Sequence, residues 1–187
     1  MQSTLLEQSY VSKDQRKKIL LMCDDIRFFS GIATMGREII LGTAQHYNWV
    51  QLAGSTTHPD FGKIFDISDD VNKQTGLTDS YVKIYPVNGY GDSNIVRQVI
   101  DIEKPDSILL FTDPRYWVWF FQMEHEVRTK IPIAYLSIWD CEPAPLYNAP
   151  YYMSVDLHMG ISKQTVNLTK KILTWADHDY DELILNK

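Results

Sequence analysis

Cysteine is scarce in this chain: Cys23 and Cys141 are the only two among 187 residues. Two cysteines build no disulfide framework, and these sit at no zinc-ligand spacing. Long apolar runs are also missing. No stretch approaches the roughly 18 apolar residues of a membrane helix, so no span is expected. Met1–Gln15 is polar and contains no secretory apolar region, which points to a cytoplasmic, reducing setting. In that setting the acceptor-like triplet Asn167-Leu-Thr169 is read as incidental. Positive charge is thin, with 18 Lys and Arg against 24 Asp and Glu and a net charge of −6. Lys17-Lys18 and Lys170-Lys171 are isolated pairs read as solvated faces, so nucleic acid is not an expected partner.

Several chemical signatures are absent. Ser30-Gly-Ile-Ala-Thr-Met-Gly36 spaces its glycines too widely for the dinucleotide fingerprint. The chain has no phosphate-binding loop of the NTPase kind and no G-x-S-x-G elbow. His46, His58, His125, His158 and His178 show no zinc-ligand spacing, so neither a metal nor a cofactor is expected. His158 falls inside an expected strand and reads as a satisfied structural histidine. Asp177-His-Asp179 and Asp179-Tyr-Asp181 lie in a charged C-terminal stretch and read as solvated.

What is present is alternation. A hydrophobic content of 44% excludes a disordered chain. Lys17–Gly36 reads as a strand, a loop with Asp24, Asp25, Ser30 and Gly31, and a helix beginning near Ala33. Gly36 inside that helix is explained by close packing on the first strand. Further apolar runs predict strands at Trp49–Ala53, Tyr81–Val87, Ser107–Phe111, Ile131–Ile138 and Val155–Gly160. Helical patterns lie between them, including an aromatic stretch, Tyr116–Arg128, read mainly as core. Residues 55–78 read as an insertion over the sheet edge. Repeated β-α-β units imply a doubly wound, mainly parallel sheet of Rossmann-like, three-layer type. The expected organisation is a polar tail over residues 1–15 and one domain over residues 16–187. The expected strand order is 3-2-1-4-5-6.

Polar residues gather after the strands. Asp24 and Asp25 follow the first, Asp113 and Arg115 the fourth, Trp139, Asp140 and Glu142 the fifth, and Ser162 and Lys163 the sixth. The carboxyl ends of parallel strands share one edge, where ligands bind. Gly31, Asp113, Trp139, Asp140 and Ser162 are therefore expected to border one cleft. Helix starts near Ala33 and Ser162 add free backbone N–H groups.

Three segments carry a family resemblance. Lys18-Ile-Leu-Leu-Met-Cys-Asp24 followed by Ser30-Gly-Ile-Ala-Thr-Met-Gly-Arg-Glu-Ile39 is the first. Ile131-Pro-Ile-Ala-Tyr-Leu-Ser-Ile-Trp-Asp140 is the second. Tyr147–Asp156 with Gly160-Ile-Ser-Lys-Gln-Thr165 is the third. In order and spacing, residues 17–173 resemble the N-terminal half of GT-B glycosyltransferases, most of all family 4. That family often has His-Asp where this chain has Trp139-Asp140, which leaves Asp140 as the catalytic candidate. The resemblance implies an acceptor-binding half that works with a nucleotide-sugar donor and a hydroxyl acceptor. Ser30, Gly31, Asp113, Arg115, Trp139 and Ser162 are then expected to contact substrate. The donor-binding domain would lie outside this chain, in a further domain or a partner chain. The alternative is a non-catalytic binding or assembly module on the same fold. A nucleotide- or flavin-binding enzyme is disfavoured by the missing fingerprint.

Overall fold

Strand β1 (Lys17–Asp24) begins exposed and becomes wholly buried from Leu20 to Cys23, as a central parallel strand must be. Each large apolar side chain buried there stabilises the fold by about 1.5–3 kcal/mol. In this computed structural model, residues 10–176 and 184–185 are described. They divide into two compact units, residues up to 91 with 95–106, and residues 92–94 with 107 onward. The chain is an α/β protein with a mainly parallel sheet.

In the first unit, β1 is followed by α1 (Gly31–Thr43), β2 (Tyr47–Ser55), β3 (Phe65–Asp66), α2 (Ser68–Thr75), β4 (Val82–Asn88) and most of α3 (Ser93–Glu103). The strand order is β3-β4-β2-β1. β1 pairs parallel with β2, Leu20 opposite Val50, and β2 pairs parallel with β4, Leu52 opposite Tyr85. The expected order of the first three strands therefore holds within this unit. The insertion read over the sheet edge supplies β3, which pairs antiparallel with β4 through Phe65 and Ile84. It also supplies α2, whose sequence SDDVNKQT buries only Val71 and so shows little apolar periodicity. Gly36 lies where a Cβ would come within 3.2 Å of both Cys23 Sγ and Ile26, so the helix packs on β1 as its glycine indicates. Burial pushes the Cys23 thiol well above its ordinary pKa, which keeps it an inert, small apolar group.

The lower end of this unit is closed by Glu103. Its buried carboxylate accepts hydrogen bonds from the Tyr81 hydroxyl at 2.7 Å and the Tyr85 hydroxyl at 2.5 Å, and pairs with Lys18 at 3.0 Å. Burial alone would raise the Glu103 pKa, but the hydrogen bonds from Tyr85, Tyr81 and Lys18 outweigh it and pull the value down to about 2. Residues 10–16 are not the loose tail expected. The Tyr10 hydroxyl donates to Asp79 at 2.7 Å, and the buried Arg16 guanidinium pairs with Asp79 at 2.7 Å. Two long-range partners on one aspartate hold what composition alone makes look free.

In the second unit the elements are β5 (Ser107–Phe111), α4 (Val118–Gln122), α5 (Glu124–Arg128), β6 (Ile133–Ser137), α6 (Ala149–Met153), β7 (Leu157–Gly160), α7 (Lys163–Trp175) and β8 (Ile184–Leu185). The order is β5-β6-β7-β8, all parallel. The aromatic stretch is broken rather than continuous. A 3-10 turn, Pro114–Trp117, leads into α4, and the chain breaks again at Met123. Trp117, Phe120 and Val127 are buried while Tyr116 and Val118 are exposed, so one side of this stretch belongs to the core and the other does not.

His158 departs from expectation. It is buried between Tyr135 and Tyr152, with ring centroids at 5.3 and 4.5 Å, and neither ring nitrogen has a hydrogen-bond partner among the described residues. Burial lowers its pKa to about 3, so the ring is a neutral, aromatic-packed core group rather than a satisfied polar one. The Asp-x-Asp motifs between 177 and 181 lie outside the described residues. Among the described residues no helix is long and apolar enough to cross a membrane.

Candidate functional site

The first unit builds a small polar cavity at the carboxyl end of β1. The chain leaves the sheet at Asp24, and buried Gln51 on β2 fixes the bend. Its amide donates to the Asp24 carbonyl at 2.7 Å and its Oε1 accepts from the Ile26 N–H at 3.4 Å. Six residues on, Ser30 caps α1, its hydroxyl accepting from the Ala33 N–H at 2.9 Å. The same hydroxyl donates to Asp24 Oδ2 at 2.7 Å, and the Tyr90 hydroxyl donates to Asp24 Oδ1 at 2.7 Å. A carboxylate is thus held from both sides beside a helix N-terminus.

Tyr90 reaches Asp24 because the last residue but one of β2 is a glycine. A Cβ on Gly54 would come within 2.7 Å of the Tyr90 ring and 2.9 Å of the Gly89 carbonyl. The cavity has a volume of about 230 Å³ and is lined by Asp24, Ser30, Tyr90, Phe28, Phe29 and Thr56 among others. Phe29 is fully exposed at its rim. Gly31 opens α1, one residue after its cap and two residues before the expected start. A Cβ there meets nothing within 4 Å, so neither packing nor backbone conformation demands a glycine at this position.

The loop carrying these residues is anchored by Asp25, which is wholly buried. Arg27 grips it as a fork, Nε to Oδ1 at 3.0 Å and Nη2 to Oδ2 at 2.6 Å. His58 Nε2 lies 2.9 Å from Asp25 Oδ2, while His58 Nδ1 accepts from the Asp60 N–H at 3.0 Å. Nδ1 is therefore unprotonated and Nε2 carries the hydrogen given to Asp25. Phe28 stacks on the His58 ring at 4.9 Å. Burial would raise the Asp25 pKa, but the bonds from Arg27 and His58 outweigh it and hold the carboxyl below its usual range. Both His58 nitrogens are engaged, so this histidine positions the loop and is not free to act as a base.

The second unit builds a different cluster where β5 and β6 end. Thr112 follows β5 with φ of 133°, a conformation rarely adopted by a side-chain-bearing residue. The Tyr135 hydroxyl donates to its carbonyl at 2.7 Å and holds it there. Asp113 then accepts from the Arg115 N–H at 2.9 Å, and its carboxylate takes the Arg115 guanidinium as a fork, Nε at 2.9 Å and Nη2 at 2.5 Å. Burial would raise the Asp113 pKa, but Arg115 outweighs it and holds the carboxyl below its usual range. The guanidinium carbon sits 5.7 Å from the Trp139 ring and 6.0 Å from the Tyr147 ring. These two rings meet edge to face at 6.1 Å and 82°.

Asp113, Arg115 and Trp139 therefore come together, joined by Tyr147, which sequence reasoning passed over. The proline-bearing loop after β6 was the available signal. Asp140 is exposed; its backbone carbonyl accepts from the Gln164 amide at 2.5 Å, and its carboxylate makes no hydrogen bond or ion pair with any described residue. Ser162 caps α7, accepting from the Thr165 N–H at 3.1 Å. Ser30 and Gly31 belong to the first unit, and the other expected site residues to the second. Tyr90, His58 and Gln51 were also missed, because each reaches the site from a distant segment. Among the described residues no three His, Cys, Asp or Glu side chains are grouped to hold a metal ion. Neither a protein-family model nor a curated protein matches the sequence.

Proposed function

We propose that this chain is the acceptor-binding half of a glycosyltransferase, transferring a sugar from a nucleotide-sugar donor to an acceptor hydroxyl. The observation that carries the reading is the Asp24 carboxylate, oriented by Tyr90 and Ser30 at the carboxyl end of β1 and beside the start of α1. A fixed carboxylate among hydroxyls suits a ligand rich in hydroxyl donors and opposes a phosphate. The exposed carboxylate of Asp140 orients the reacting hydroxyl in this reading. Asp113, Arg115 and Trp139 contact substrate, the aromatic faces supporting a ring and the guanidinium donating hydrogen bonds. Gly31 allows a ligand to approach the α1 amides. The donor is held by a further domain or a partner chain, whose closure brings the reacting groups together. Free Cys23 and Cys141 fit a cytoplasmic, reducing setting.

Saturation-transfer NMR against a panel of methyl glycosides tests this reading. Contact is expected, and Asp24→Asn is expected to abolish it. Calorimetry with UDP- and GDP-sugars should give nothing tighter than millimolar, roughly −4 kcal/mol. Micromolar nucleotide-sugar binding, or turnover by the chain alone, overturns the proposal.

A further inference from the structure

On the flank of the first unit, α1, α2 and the loop after β1 enclose a second cavity of about 180 Å³. That is the room of roughly six water molecules at about 30 Å³ each. Its floor is apolar, formed by Ile26, Ile40 and Val71, each nearly fully buried. Its walls carry Arg27, Arg37 and Asp70.

The charges on these walls do not cancel. Arg27 is already engaged by Asp25 and lies 3.4 Å from Asp60. Asp70 is paired with Lys73 at 3.2 Å. Arg37 is half-buried and makes no hydrogen bond or ion pair with any described residue. One lining guanidinium with five donors is therefore without a carboxylate partner among the described residues, in a cavity whose buried residues are apolar.

We infer that this cavity binds a small monocarboxylate bearing a short aliphatic tail. The carboxylate takes the Arg37 fork, a geometry that guanidinium and carboxylate share. The tail packs against Ile26, Ile40 and Val71 and covers Leu41 and Ile67, which line the same cavity and are only half-buried. A phosphate fits less well, because its extra charged oxygens would face the apolar floor without partners. The inference stands apart from the glycosyltransferase reading, since it concerns another cavity and needs no sugar.

Titration of the isotopically labelled chain with sodium hexanoate at constant ionic strength, followed by amide shifts, tests it. Saturable shifts are expected at Ile26, Ile40 and Val71 in the millimolar range. Sodium acetate, lacking the tail, and 1-hexanol, lacking the charge, should each bind at least about fivefold more weakly. Arg37→Gln should weaken hexanoate about tenfold while leaving 1-hexanol unchanged, and Arg37→Lys should fall between. Absence of saturable shifts, shifts mapping elsewhere, or equal affinity for hexanoate and 1-hexanol overturns the inference. The last comparison uses the unaltered chain and decides the matter even if a variant fails to fold.

Discussion

Gly54 lies against the ring of Tyr90, so close that a single added carbon would sit 2.7 Å from that ring. The tyrosine crosses the end of β2 only because that position has no side chain. Gly54→Ala should therefore displace Tyr90 or strain the strand end, costing about 1–3 kcal/mol in a urea titration. Tyr90→Phe keeps the ring but removes the hydroxyl that donates to Asp24, and should cost about 0.5–1.5 kcal/mol. The double variant should cost less than the sum, because both changes act on one contact. Strict additivity would show that Gly54 does not act through Tyr90.

Acid stability should depend on Glu103. Its folded pKa of about 2 lies below the ordinary value of about 4.3. The unfolded chain therefore binds the proton first as pH falls. The stability it contributes is fully present above about pH 4.5 and is lost as pH drops toward 2. Glu103→Gln should destabilise the protein at pH 7 and much less at pH 2. A constant difference across that window, followed by chemical denaturation, would rule this out.

His158 acts at higher pH. Burial lowers its pKa to about 3, against about 6.5 when unfolded. Stability should fall as pH drops from about 6.5 toward 3, because the unfolded chain gains a proton that the folded chain refuses. His158→Phe keeps an aromatic ring beside Tyr135 and Tyr152 and removes two buried nitrogens without partners. The variant should gain stability relative to the parent between pH 4 and 6, more than at pH 8. Parallel stability curves for the two proteins would contradict the assignment.

Gly31→Val separates folding from binding. The space around Gly31 is open, so unfolding free energy should change by no more than about 0.5 kcal/mol. Contact with a methyl glycoside in the Asp24 cavity should be lost, because the new side chain stands over the α1 amides. Equal damage to stability and binding would make the glycine structural.

Asp113 combines two roles that can be measured apart. Asp113→Ala removes the cap and the fork, and should cost about 1 kcal/mol of stability. Arg115→Lys keeps the charge but loses the fork and the cation–π contacts, and should cost little stability because the Arg115 side chain is exposed. Its quenching effect on Trp139 should change, which fluorescence in a background with Trp139 retained and Trp139→Phe as control will read.

The parallel strands were legible because buried strands write themselves as apolar runs: Ile19–Cys23 and Ser107–Phe111 needed no partner to be recognised. The polar helix α2 was not, since only Val71 of its eight residues faces the core. The caps Ser30, Asp113 and Ser162 could be seen as polar residues ahead of helical patterns. Their partners could not. Tyr90 lies 66 positions from Asp24, and His58 lies 33 from Asp25. Local sequence carries no record of such pairings. Two glycines misled in the same way: Gly31 drew attention from its motif, while Gly54, where a Cβ would lie 2.7 Å from the Tyr90 ring, sits in an ordinary strand.

The two-residue strand β3 has a consequence for self-association. It covers the backbone of β4 at Ile84 and Lys83, and offers only Phe65 and Asp66 in exchange. Asp66 brings a charge to that rim, and Lys63 lies just before it, paired with Asp60. A neighbouring molecule seeking to extend the sheet there would find two residues of template and an acidic side chain among them. Such an edge resists polymerisation by strand addition, so this side of the first unit can remain solvent-facing at high concentration.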